Sequence, residues 1–155
     1  MGAATWAIPY VEYASNLNIV NGVGNGKFNP NGLVTYEQAV TMIVRALGYT
    51  DQCKEMNGTW SAIYVQKGMA LGIFSDVVNG GANGATRGDI AIMLFNAIEL
   101  AEVYADADGT THYKTGNNAT YFNDMAVNGV TMMGTLNKNS TSGYASLLIA
   151  MLMVQ

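Results

Sequence analysis

The chain has 155 residues, of which half are apolar and 12% are charged, and its formal net charge is -4. This length and apolar content fit one folded domain and exclude a disordered, solvating segment. The seven lysines and arginines are scattered and form no basic block, so we expect no binding to nucleic acid through bulk electrostatics.

Two predicted helices begin with the same dipeptide. Thr5 and Trp6 open the first, and Thr59 and Trp60 open the second with the same spacing of apolar residues. We expect each threonine to cap its helix through the hydroxyl group. The shared spacing favours core packing of both tryptophans over stacking on a sugar. The loop at residues 21–32 is rich in Asn-Gly pairs, which are typical of turns, and lacks the spacing of a phosphate-binding loop.

A threonine followed by an apolar stripe occurs three times, at Thr35, Thr86 and Thr141. Each stripe has the i, i+3, i+4, i+7, i+8 spacing of one helix face, and the copies lie about fifty residues apart. The members are Ala39, Met42, Ile43, Ala46 and Leu47; then Ile90, Met93, Leu94, Ala97 and Ile98; then Ala145, Leu148, Ile149, Leu152 and Met153. Repetition at this period predicts units that share one core.

Two of these threonines begin a capping-box pattern, Thr35 with Gln38 and Thr86 with Asp89. Helix capping explains all four residues without a ligand. It does not explain Arg87, because a cation in the first turn of a helix opposes the helix dipole. Arg87 is therefore a candidate for binding an anion through its planar guanidinium, with a solvated surface arginine as the alternative.

Other kinds of site lack a complete set of residues. Cys53 is the single cysteine, which excludes an internal disulfide, and we expect a buried or incidental thiol. Asp106 and Asp108 lack the remaining acids of a calcium loop, and His112 has no second ligand, so we expect neither a metal nor a cofactor. No catalytic motif is present, which predicts that the chain is not an enzyme. The apolar run 144–154 is too short to cross a bilayer, so no membrane insertion is expected.

Residues 6–49 resemble an S-layer homology module through Trp6-Ala7, the Gly-x-Phe-x-Pro core of the loop, Val34-Thr35 and the helix 39–49. Residues 60–100 are similar less fully, with Thr86–Asp89 in place of the family's Thr-Arg-Ala-Glu element. A third copy is identified only by its threonine and stripe. The resemblance divides a single domain, 1–155, into repeat one at 5–49, repeat two at 59–100, a polar excursion or short hairpin at 101–120 and a degenerate repeat three at 121–155.

The resemblance implies an all-α fold, a pseudo-threefold helical bundle of three helix–loop–helix repeats with prong-like loops and grooves between them. It also implies non-covalent anchoring of an exported protein to the bacterial cell wall, hence an extracellular location at the cell surface, cell wall or S-layer. The implied partner is a secondary cell-wall polysaccharide, often with a pyruvylated, anionic sugar. The ligand-binding candidates that match the family's motif are Thr35, Tyr36, Gln38, Thr86, Arg87 and Asp89.

The copies depart from the family pattern at the motif itself. The arginine position holds Tyr36, Arg87 and Ser142, and the acid position holds Gln38, Asp89 and Tyr144. We expect one competent groove, in which Arg87 contacts the anionic substituent and Asp89 either orients that arginine or accepts sugar hydroxyls. In copy one, Tyr36 is instead a candidate for stacking on a sugar face.

Two alternatives stay open at this point. The loss of arginine from two copies also fits a structural module that self-assembles into a surface layer or filament without binding sugar. The other alternative is a fragment of a larger surface enzyme whose chemistry lies outside these residues.

Overall fold

The computed structural model describes residues 5–78 and 84–114. Within these ranges four α-helices and one β-hairpin follow one another, with short 3-10 helices at Thr5–Ala7 and Lys54–Met56. The elements are α1 (Ile8–Asn16), α2 (Tyr36–Ala46), α3 (Ala62–Ala70), α4 (Arg87–Ala97), β1 (Val103–Ala105) and β2 (Thr111–Tyr113). Within the described ranges, no helix has the length and apolar character needed to span a membrane.

Helix α2 lies at the centre of the fold and packs against α3 and α4. Both apolar stripes within the described ranges face the core as predicted, with only Met42 and Ile98 partly buried. Gly68 in α3 allows the close approach to α2, since a Cβ at this position would lie 2.2 Å from Val40 Cγ2. The third stripe, which begins after Thr141, lies outside the described residues, so the threefold bundle stays a prediction.

The capping boxes at the starts of α2 and α4 are confirmed. The Thr35 Oγ1 atom accepts the Gln38 N–H at 3.2 Å, and Gln38 Oε1 accepts the Thr35 N–H at 3.0 Å. In α4 the Thr86 Oγ1 atom accepts the Asp89 N–H at 3.1 Å, and Asp89 Oδ2 accepts the Thr86 N–H at 3.2 Å. Each pair of bonds satisfies two backbone amides that the first turn of a helix leaves without a partner.

The starts of α1 and α3 differ from the prediction. Thr5 lies in the 3-10 helix that precedes α1, and the residue before α3 is Ser61, so neither predicted threonine is the cap. Neither helix receives a side-chain cap. At the start of α3, the backbone carbonyl of Thr59 accepts the Ile63 N–H at 3.2 Å. Pro9 lies in the first turn of α1, where a backbone N–H would have no partner within the helix, so the missing N–H of proline costs no bond.

The prediction that both tryptophans pack in the core is wrong. Trp6 is 52% exposed and Trp60 is 56% exposed. The buried positions of these helices belong to Ala14 in α1 and to Tyr64 and Gly68 in α3. The shared spacing of apolar residues after Trp6 and Trp60 therefore did not show which face of each helix is buried in the core.

The segment after α4 is the short hairpin that the sequence offered as one alternative, and it adds two short strands to a largely helical fold. Strands β1 and β2 pair antiparallel, with Val103 opposite Tyr113. The hairpin contacts the end of α2, where the Val103 N–H donates to the Leu47 carbonyl at 2.7 Å. Gly48 makes this approach possible, since its φ is +100° and a Cβ there would lie 1.9 Å from the Val103 carbonyl oxygen.

The polar side chains of the hairpin stabilise its own turn. Asp106 Oδ1 accepts the backbone N–H groups of Asp108 and Thr110, at 3.2 and 2.9 Å. Asp106 Oδ2 lies 2.7 Å from His112 Nε2, so His112 is locally hydrogen-bonded. Cys53 is a buried free thiol, also as predicted.

Candidate functional site

The two complete threonine motifs lie side by side. The Ala85 N–H donates to the Val34 carbonyl at 2.7 Å, which joins the segments that lead into α2 and α4. The first turns of these helices are consequently neighbours, and the partial positive charges of their N-terminal amides lie on one part of the surface. The fold therefore brings together the residues that the sequence selected from two separate copies.

A hydrogen bond between side chains connects the motifs directly. The Tyr36 hydroxyl donates to Asp89 Oδ2 at 2.5 Å, and the Thr86 hydroxyl donates to the same oxygen at 2.5 Å. The bond from Thr86, followed by that from Tyr36, holds the pKa of Asp89 below its ordinary value. The bond to Asp89, followed by burial, raises the pKa of Tyr36. Asp89 is thus an ionised acceptor that links the two copies.

The structure does not pair Asp89 with Arg87. All three side-chain acceptor contacts of Asp89, two from Thr86 and one from Tyr36, go to Oδ2. The Arg87 side chain is exposed, and it has no hydrogen bond or ion pair to any residue within 5–78 and 84–114. The guanidinium is therefore a free cation in this part of the protein, beside the first turns of two helices.

A cleft of about 680 Å³ runs along the other side of α2. Helix α1 and the loop after it form one wall, and the start of α3 forms the other. Helix α2 contributes Gln38, Thr41, Met42 and Arg45, which share one helix face, and α3 contributes Tyr64, preceded by Trp60. Gln38 therefore belongs both to the capping box of α2 and to the lining of the cleft.

Sequence reasoning missed the polar cluster at the end of this cleft. Arg45 Nε donates to the Tyr64 hydroxyl at 3.1 Å, and the guanidinium carbon lies 4.8 Å from the centroid of the Tyr64 ring. Arg45 Nη2 lies 3.7 Å from Asp51 Oδ2, and the Tyr64 hydroxyl donates to Asp51 Oδ1. Burial, followed by the bond to Asp51, raises the pKa of Tyr64. The available signal was an arginine between buried apolar residues in the last turn of α2.

Replacing Tyr36 with phenylalanine is expected to lower the free energy of unfolding by about 1 kcal/mol at neutral pH, because it removes a bond to a partly exposed carboxylate. The difference in unfolding free energy between wild type and variant should have its full size above pH 3.8, the ordinary pKa of Asp89. It should disappear as the pH falls through the lowered pKa that Asp89 has in the folded protein. The same difference should decline at alkaline pH, as the pH rises above 10.0, the ordinary pKa of Tyr36, and through the raised pKa that Tyr36 has in the folded protein. Urea denaturation across the acid, neutral and alkaline ranges measures this, and a difference independent of pH would contradict it.

Part of the chain is similar to a known family of modules. Residues 1–40 match the S-layer homology domain. A cell surface location is consistent with this match, which covers repeat one up to the first turns of α2.

Several relatives extend the similarity beyond residue 40. The Middle cell wall protein of Brevibacillus brevis is 42% identical over 95 residues, which cover 61% of this chain and 9% of that protein. The Cell surface protein of Thermoanaerobacter kivui is 38% identical over 103 residues, which cover 65% of this chain and 13% of that protein. The Surface layer protein of Brevibacillus choshinensis is 40% identical over 74 residues, which cover 48% of this chain and 6% of that protein. No solved structure matches the chain significantly.

These matches place the chain at a cell surface or cell wall and support a role in cell-surface anchoring. The names of these three relatives are those of wall and surface proteins and give no enzymatic activity. The chain spans only a small part of the length of the relatives that it matches.

Proposed function

We propose that this chain anchors a surface protein non-covalently to the cell wall by binding a secondary cell-wall polysaccharide. The observation that supports this best is the exposed Arg87 guanidinium, which lies beside two adjacent helix N-termini and has no partner in the described part of the chain. A planar guanidinium binds a carboxylate through two parallel N–H···O bonds, and the helix amides add to the attraction. The proposed contact is between Arg87 and an acidic substituent of the polysaccharide.

The other residues of this site have different roles in the proposal. Thr35, Gln38 and Thr86 shape the first turns of the helices through their capping bonds. Tyr36 holds the two copies together through Asp89. Because the bonds from Tyr36 and Thr86 occupy Oδ2, Asp89 Oδ1 is left as an acceptor for a sugar hydroxyl. Stacking of the Tyr36 ring on a sugar stays a prediction.

Replacing Arg87 with alanine is expected to weaken binding to purified wall sacculi at least about tenfold, because a charge-assisted bidentate contact is lost. The melting temperature should change little, since the Arg87 side chain is exposed and has no hydrogen bond or ion pair to another described residue. Co-sedimentation with sacculi before and after removal of the polysaccharide measures the effect. Lys54→Ala is the matched control, because it removes one positive charge from an exposed surface pair with Asp108. Equal binding by the Arg87 and Lys54 variants would remove Arg87 from the site.

Self-assembly into a surface layer or filament is the alternative function. Tyr36 and Ser142 in place of arginine favour it, and the exposed side chains of Phe95, at 77%, and Met69, at 64%, are available for contacts between chains. Analytical sedimentation separates the two proposals. A polymer that grows with concentration and does not associate with sacculi supports assembly, whereas a monomer that co-sediments with sacculi supports anchoring.

A further inference from the structure

We propose that the cleft along α2 is a second sugar subsite, which takes a neutral pyranose of the same polysaccharide with Trp60 as its stacking surface. The inference rests on the proposed anchoring function and adds the kind of sugar unit that each site takes. Arg87 takes an acidic substituent, and the cleft takes an uncharged, hydroxyl-rich ring.

The shape and lining of the cleft fit such a ring. Its volume of about 680 Å³ lies within the range of small-molecule sites. Tyr10 and Trp60 contribute aromatic surface to the lining, and Trp60 is 56% exposed. One face of a pyranose presents C–H groups and is apolar, so it packs against an exposed indole with loss of water from both surfaces. The hydroxyls at the edge of the ring then need polar partners.

Polar groups are available at both ends of the cleft. Gln38 uses its Oε1 atom in the capping box, and its amide nitrogen has no bond to another residue in the described ranges. Asp51 lies at the other end, where its exposed carboxylate accepts the Tyr64 hydroxyl and retains acceptor capacity. A ring between these residues has donors and acceptors along its edge and an aromatic surface at its face.

The charges of the cleft select a neutral ligand. Among the residues that line it, only Arg45 and Asp51 carry charge at neutral pH, and their side chains lie 3.7 Å apart. The Arg45 guanidinium is largely buried, at 11% exposure of its side chain, and it is directed to Tyr64 and Asp51. The cleft therefore offers no uncompensated cation to a carboxylate, in contrast to the surface around Arg87.

The two sites flank the same turn of α2. Tyr36 and Gln38 are two residues apart, which places them about 200° apart around the helix axis. Tyr36 contacts Asp89 on one side, and Gln38 lines the cleft on the other. A polymer that crosses the start of α2 can contact both sites, and two linked contacts bind more tightly than either one alone.

The decisive comparison is between Trp60→Ala and Trp6→Ala. Both replace a tryptophan of similar exposure, but only Trp60 lines the cleft. The probes are purified wall polysaccharide and the same polysaccharide after mild acid has removed its ketal-linked pyruvate. Trp60→Ala is expected to weaken binding of both probes about tenfold, since the lost stacking does not depend on the acidic group. Trp6→Ala should leave both affinities unchanged, and Arg87→Ala should weaken only the binding of the untreated polysaccharide.

Trp60→Phe tests whether an aromatic ring is what matters, and it should retain most of the affinity that alanine loses. Melting curves establish that each variant is folded. Equal affinities of the folded Trp60→Ala and Trp6→Ala variants would overturn the cleft subsite and leave anchoring through Arg87 intact. Failure of the wild-type chain to bind either probe would overturn the proposed function, and the subsite with it.

Discussion

Replacing Gly48 with alanine is expected to lower the free energy of unfolding by about 3 kcal/mol or more. The added methyl group meets two costs at once: a left-handed backbone conformation costs a residue with a Cβ about 1 to 2 kcal/mol, and overpacking typically costs about 1 to 3 kcal/mol. The overpacking arises because the Cβ would lie 1.9 Å from the Val103 carbonyl oxygen, so the hairpin must move away from α2. Urea denaturation followed by circular dichroism measures the change.

Gly24→Ala is the matched control for this prediction. Gly24 has nearly the same positive φ, +95°, but a Cβ there would have no heavy atom within 4 Å. It should therefore show only the conformational cost of about 1 to 2 kcal/mol. If the two variants lost equal stability, the contact between Gly48 and Val103 would not contribute to the fold as described.

Replacing Leu94 with alanine is expected to destabilise the protein by about 2 to 5 kcal/mol, because truncation of a buried leucine removes apolar contacts and leaves a cavity. Leu94 is 4% exposed and belongs to the core that α4 forms with α2. Thermal and urea unfolding give the change in stability. The adjacent residue supplies the control: Phe95 is 77% exposed, and its truncation should change stability by less than about 0.5 kcal/mol. A larger loss at Phe95 than at Leu94 would mean that the apolar stripe of α4 had been assigned to the wrong face.

The features that could be predicted from the sequence are those that depend on neighbouring residues. A capping box needs only a threonine and a polar side chain three positions later, so Thr35 and Thr86 could be identified without knowledge of the fold. The apolar stripes of α2 and α4 follow from helical spacing in the same way. These two signals were sufficient to place the starts of both helices and their buried faces.

The contacts between the copies could not be predicted, because they depend on how distant segments pack. The Tyr36–Asp89 bond joins residues 53 positions apart, and no local pattern distinguishes a tyrosine that donates to a neighbouring copy from one that faces solvent. The exposure of Trp60 has the same origin, since spacing relates equivalent positions but does not say which surface another element covers. Arg45 was missed for a related reason: its role depends on Tyr64 and Asp51, which belong to a different segment.

The bond between Tyr36 and Asp89 also means that the two threonine motifs are not interchangeable. In repeat one the motif supplies a neutral phenol, and in repeat two the equivalent position supplies a cation that stays outside the interface. A tandem of two identical second repeats would place a guanidinium where the phenol stands and would redirect it onto the acid of its neighbour. The different residue at this single position leaves the first motif as a scaffold and the second with its arginine exposed.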